Sequence, residues 1–76
     1  MERDVYFETI LLKKFGKHIK EIRINNYLTQ EKAALLCELN QHYLSDLENG
    51  RKNPSLKVLY KLSEGYNISL EELMNF

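Results

Sequence analysis

Gln41, His42, Ser45, Asp46 and Asn49 are spaced so that one helix would carry them all. At about 100° per residue, Leu44 and Leu47 point inward, and His42, Ser45 and Asn49 lie opposite them, flanked by Gln41 and Asp46. This outer edge is short, polar and mostly uncharged, whereas a merely solvated edge more usually carries Lys and Glu. Such side chains can give and take hydrogen bonds at base edges. Gln suits adenine, because it presents a donor and an acceptor together.

Other chemistries find no footing. No nucleophile, base and orienting group can be assembled, so the chain is not expected to be an enzyme. His18 and His42 have no companions at ligand spacing, so neither a metal site nor a cofactor is expected, and His18 reads as a solvated residue. Cys37 falls on an inward helix face and reads as core. A single cysteine makes no internal disulfide, which fits a reducing cytoplasm.

The elements that must position the polar edge are helices. Seventy-six residues make one domain, 1–76, with a small core. The longest apolar runs, Ile10 to Leu12 and Ala33 to Cys37, fall far short of the roughly 20 residues that span a bilayer. The mixed charges of Met1 to Asp4 do not open a signal peptide. Lys and Arg number 11 against 11 Asp and Glu, a balance that argues against indiscriminate nucleic-acid binding. Charge is nonetheless segregated: bases dominate Lys13 to Arg23 and Arg51 to Lys61, and acids gather at Glu64, Glu71 and Glu72. A basic face and an acidic back are one arrangement consistent with this.

Phe7, Leu11, Phe15, Ile19 and Ile22 recur at helical spacing and predict a helix from about Tyr6 to Asn25. Gly16 interrupts it tolerably, and Asn25-Asn26 suits a left-handed C-cap. A second helix starts at the N-cap Thr29 and ends near Cys37, with Ala34 small enough for a close crossing. A third follows Asn40 and stops at Asn49-Gly50; Leu39 plugs the turn before it. A fourth opens at Ser55, carries Leu56, Leu59, Leu62 and Tyr66 as core, and ends at Asn67. A fifth opens at Ser69, with Glu72 completing a capping box.

In the blocks Leu28 to Glu31, Tyr43 to Gly50 and Asn53 to Leu56, held in register, the chain resembles the Cro- and phage-repressor-like helix-turn-helix family, often called the XRE family. The resemblance runs from about Phe15 to Leu73. It implies an all-α, five-helix, lambda-repressor-like DNA-binding domain with its helix-turn-helix at 29–49, preceded by an amino-terminal extension at 1–12. It implies that Gln30 touches a phosphate or braces Gln41, and that Gln41, His42 and Ser45 read bases. Tyr43 would neighbour phosphate or sugar, and Asn49, Gly50 and Arg51 would form the loop that reaches the backbone, with Lys52 beside it. Arg23 and Glu48 match a pair that bridges the first and third helices. Four departures stand out. Tyr27 and Glu38 occupy places where the family often has Gly; a left-handed Glu costs roughly 1–2 kcal/mol. Gly65 replaces a usual Ala, at about 1 kcal/mol. Asp46 puts a negative charge on the reading helix.

The function the resemblance implies is a stand-alone transcription regulator such as a phage repressor or a restriction-modification controller, a repressor in the first instance, acting as a homodimer on a palindromic operator in double-stranded DNA. Ile68, Leu70, Leu73, Met74 and Phe76 crowd the carboxyl end and are expected to form the dimer interface. Leu35 and Leu36 stand where the family is usually polar. They keep open an antitoxin-type alternative with a protein partner on that surface. Cover from Phe7, Ile10 and Leu12 of the extension is the other expectation. A third reading, an interaction module that has lost DNA binding, is opposed by Arg51, Lys52 and the Gln30–Gln41 pair.

Overall fold

The structure, a computed structural model, describes residues 5–76. Residues 1–4 and the side chain of Phe7, to which the reading of the extension also appealed, lie outside the described part. The fold is all-α and lambda-repressor-like. A π-helical turn, Phe7–Leu11, runs into α1, Leu12–Asn25. There follow α2 (Gln30–Leu36), α3 (Gln41–Glu48), α4 (Leu56–Tyr66) and the short α5 (Leu70–Leu73).

Each helix after α1 opens on a side-chain cap that satisfies an otherwise orphaned backbone donor. Thr29 accepts from the Lys32 N–H, Asn40 from those of His42 and Tyr43, Ser55 from that of Val58, and Ser69 from that of Glu72.

The first four helices end in one way. A left-handed residue turns the chain, and the residue after it donates its N–H to a carbonyl five residues back. These bonds are Leu28 to Arg23, Leu39 to Ala34, Arg51 to Asp46 and Ile68 to Ser63. The left-handed residues are Tyr27, Glu38, Gly50 and Asn67, with φ between 55° and 72°. The expectation for Asn25-Asn26 is therefore corrected: Asn26 sits at φ −95°, and Tyr27 makes the turn. Its ring hangs in solvent, where no buried neighbour adds to the local strain.

Phe15 and Ile19 of α1, Ala33, Ala34 and Cys37 of the α2 region, Leu44 and Leu47 of α3, Leu62 and Tyr66 of α4 and Leu73 of α5 form the core. Burial pushes the Cys37 thiol up to about 11, so it stays protonated and acts as a small packing residue. Gly16, which read as a tolerated break, and Gly65, which read as a costly replacement of Ala, prove to be crossing points. A Cβ on Gly16 would lie within 2.5 Å of the carbonyl oxygens of Leu47 and Glu48. One on Gly65 would collide with the Sγ of Cys37. Glycine thus lets α1 meet the end of α3, and lets α4 meet the end of α2.

Four further expectations are corrected. Leu56 and Tyr60 are exposed, because the core takes only the Leu59–Leu62–Tyr66 side of α4. His18 is not simply solvated: its Nε2 donates to the carbonyl of Glu72 at 2.9 Å, and its ring lies near Phe76. Phe76 itself packs edge-on against Phe15. Leu73 is fully buried within the chain, so it cannot meet a two-fold mate. The described part of the extension does not cover Leu35 and Leu36, which remain 79% and 54% exposed; Leu11 and Leu12 instead line a cleft with Pro54, Leu59, Met74 and Phe76.

Two glycine exchanges should act in opposite senses. Gly16→Ala should lower stability by about 1–3 kcal/mol through overpacking, despite the better helix propensity of alanine. Glu38→Gly should raise it by about 0.5–1 kcal/mol, the relief of left-handed strain less the entropy of a freer unfolded chain. Urea denaturation checks both, and a Gly16→Ala as stable as wild type would remove the close-crossing account.

Candidate nucleic-acid interface

α2 and α3 are joined by the four residues Cys37 to Asn40, a turn of the length that joins the steeply crossing pair of a helix-turn-helix. Glu38 makes the turn and Leu39 fills it, half-buried against the core. Leu44 and Leu47 anchor α3 at zero exposure. That anchoring turns Gln41, His42 and Asn49 outward, with Ser45 and Tyr43 half-buried at the margin. The side-chain amide of Asn49 donates to the Ser45 carbonyl at 2.8 Å, which holds the end of the row.

The inner side of α3 is held by one carboxylate. Arg23 Nε donates to Glu48 Oε2 at 2.7 Å and Arg23 Nη2 to Glu48 Oε1 at 3.1 Å. Arg23 Nη1 also reaches the Leu28 carbonyl at 2.9 Å. Gln30 Nε2 donates to Glu48 Oε1 at 3.0 Å, so its amide nitrogen faces Glu48. The side chains of Arg23 and Glu48 are only 11% and 2% exposed. The hydrogen bond with Glu48 raises the Arg23 pKa further against the opposing effect of burial. A two-pronged guanidinium–carboxylate pair fixes distance and angle together. It thereby sets the pose of α3 on α1, and Gln30 adds α2 to the same carboxylate.

Asp46 does not share the open edge. It is buried, with its carboxylate between Arg51 and His42. Past α3, Gly50 turns the chain at φ 72° and packs on the backbone of Lys13. Arg51 and Lys52 stand exposed beyond it. Lys13 is thus a third exposed cation beside this loop. Sequence reasoning missed it because its place depends on how α1 meets α3, and no local signal records that. Among the described residues no cluster of His, Cys, Asp and Glu could hold a metal ion. Among the same residues no helix is long and apolar enough to cross a membrane.

Comparison with known proteins matches residues 19–73 to the family model described as Helix-turn-helix. The control protein C.BamHI of Bacillus amyloliquefaciens is 35% identical over 63 residues, covering 82% of this chain and 78% of that protein. The control protein C.MunI of Mycoplasma sp is 40% identical over 63 residues, covering 82% and 85%. The crystal structure of the restriction-modification controller protein C.AhdI from Aeromonas hydrophila superposes with a TM-score of 0.80 at 37% identity, over 82% of this chain and 94% of that one.

The buried pair is open to a direct test. Glu48→Gln or Arg23→Met alone leaves a buried charge unpaired and should cost about 3–5 kcal/mol. The double variant should cost clearly less than the sum of the two, read as a double-mutant cycle in urea. Strict additivity would show that the pair carries no coupling.

Proposed function

The chain belongs to the helix-turn-helix family, and from that premise we propose that it represses transcription as a homodimer on a palindromic operator, in the cytoplasm. It is a sequence-specific DNA-binding transcription regulator; the operator, the dimer and the sign of regulation are the proposal. One observation carries it: Gln41, His42 and Asn49 face outward along α3 and its cap, with Ser45 at their margin, while a buried carboxylate holds the other side of the helix. Preorganised short polar side chains on a helix are what base readout in a major groove requires. Gln41 and His42, at the start of α3, are assigned to base edges, with Ser45 and Asn49 following and Tyr43 at the sugar-phosphate margin. Arg51, Lys52 and Gln30 are assigned to the backbone. Because the control proteins named above are its relatives, control of a restriction-modification system is the regulatory setting we favour. Protection of DNA just upstream of its own gene would be the sign of it.

A module of this size reads too few base pairs to select one genomic site. Two copies double the reading if their third helices lie about 34 Å apart, one turn of duplex. With Leu73 committed to the core, the dimer surface is assigned to Leu70, Met74 and Phe76, which remain exposed, with Ile68 at the edge. A second reading is favoured by the exposure of Leu35 and Leu36: an antitoxin-type regulator that also masks a partner protein. Recovery of a stoichiometric protein encoded by the neighbouring gene would support that reading.

Gln41→Ala should lose about 1–3 kcal/mol at one base position and relax the choice there. Arg51→Ala should weaken all duplexes alike and flatten the salt dependence. Both are measured on a duplex enriched by the wild type from a randomised library. Unchanged selectivity in Gln41→Ala would remove α3 from the reading role. Met74→Glu should shift sedimentation from dimer to monomer. A wild type that is monomeric at micromolar concentration, and binds without cooperativity, would refute the dimer.

A further inference from the structure

Asp46 is the acidic residue of α3 that takes no part in the Glu48 network. Its side chain is 13% exposed, and its two oxygens face two different cations. Oδ1 lies 3.6 Å from Nη1 of Arg51, and Oδ2 lies 3.6 Å from Nε2 of His42, a cation when protonated. Both partners stand well out of the protein, at 68% and 87% side-chain exposure, one at each end of the exposed edge of α3.

The backbone favours the meeting of Asp46 with Arg51. Arg51 donates its N–H to the Asp46 carbonyl at 2.9 Å in the turn that ends α3. In that type of turn the side chains at these two positions come together, commonly as an apolar contact. The equivalent positions after α1, α2 and α4 are indeed apolar: Leu28, Leu39 and Ile68, each packed on the core. After α3 the position holds Arg51, and the residue it meets is Asp46.

We propose that Asp46 is a positioning residue for DNA recognition, holding Arg51 and His42 at the two ends of the reading edge and lowering affinity for wrong duplexes. This rests on the reading of α3 as the recognition helix. An aspartate that read cytosine would have to turn its lone pairs toward the groove. The oxygens of Asp46 are turned to its neighbours instead. Its negative charge also stands just behind the Arg51 cation. A phosphate therefore gains less from Arg51 than from a lone guanidinium, whatever the base sequence. Correctly placed base contacts then decide binding, so the carboxylate gains selectivity at the expense of general affinity.

The test uses the full chain, two duplexes and anisotropy titrations between 50 and 200 mM salt, the range over which phosphate contacts dominate the change (about 10³–10⁵-fold for many contacts). One duplex is enriched by the wild type from a randomised library; the other is its scrambled counterpart. Asp46→Asn should bind the scrambled duplex about 3–10-fold more tightly and the enriched one less so. Its salt slope should steepen by about one as Arg51 is freed for a phosphate. In an Arg51→Gln background the same exchange should do little, a coupling that a merely structural role would not produce. Should Asp46→Asn fail to fold, two other variants decide: Lys52→Gln should weaken scrambled binding and flatten its salt slope more than Arg51→Gln. Equal losses there, or an unchanged ratio between duplexes in a folded Asp46→Asn, overturn the proposal. A changed preference at one base pair would also overturn it, by making Asp46 a direct reader. A wild type that enriches no duplex would instead refute the DNA-reading function itself, and this inference with it.

Discussion

The carboxylate of Glu48 accepts two hydrogen bonds from Arg23 and one from Gln30, and is almost wholly removed from solvent. Its donors come from α1 and α2, and the carboxylate itself from the last turn of α3. A buried ion pair is weak evidence for stability, because the cost of desolvation offsets much of the attraction. Its strength is geometric: the two-pronged pair admits few poses. α3 is consequently set by a directional contact at its carboxyl end and by apolar burial of Leu44 and Leu47 along its length. Gly16 belongs to the same arrangement, since it lets the backbone of α1 reach the carbonyls of Leu47 and Glu48.

The helix ends show how the chain tolerates local strain for the sake of short turns. Four helices stop in the same left-handed manner, yet only Gly50 is glycine. Asn67 suits the conformation through its short polar side chain. Tyr27 and Glu38 do not, and they are held there by the apolar residues that follow, Leu28 and Leu39, which pack on the core. Tyr27 carries this strain in the turn between α1 and α2, and Glu38 carries it in the turn between α2 and α3.

The surface divides by chemistry. The polar edge of α3 runs into the loop at Gly50, which is followed by the exposed cations Arg51 and Lys52 and has Lys13 beside it. Met74 and Phe76 gather with the start of α1 around another apolar cleft. Leu35 and Leu36 form a further exposed patch, on α2. On a chain this small each patch has a bearing on solubility, and only the first has an evident chemistry of its own.

Helical class, helix order, the caps at Thr29, Asn40, Ser55 and Ser69 and the inward leucines of α3 were legible in the amino-acid sequence. All of these arise from local rules: side-chain capping and the 3.6-residue period act within a few residues. The polar outer edge of α3 was legible for the same reason, being one face of one helix; that it reads bases is the proposal. Tertiary structure alone decided the rest. It showed that Gly16 and Gly65 are crossing points, that Leu73 belongs to the core, and that the amide of Gln30 reaches Glu48. It also drew Asp46 off the open edge and placed Lys13 beside Gly50. Each of these depends on which residue, distant in the chain, approaches within a few ångströms. Periodicity says which way a side chain points along its own helix, and the packing of helices on one another determines what it meets there.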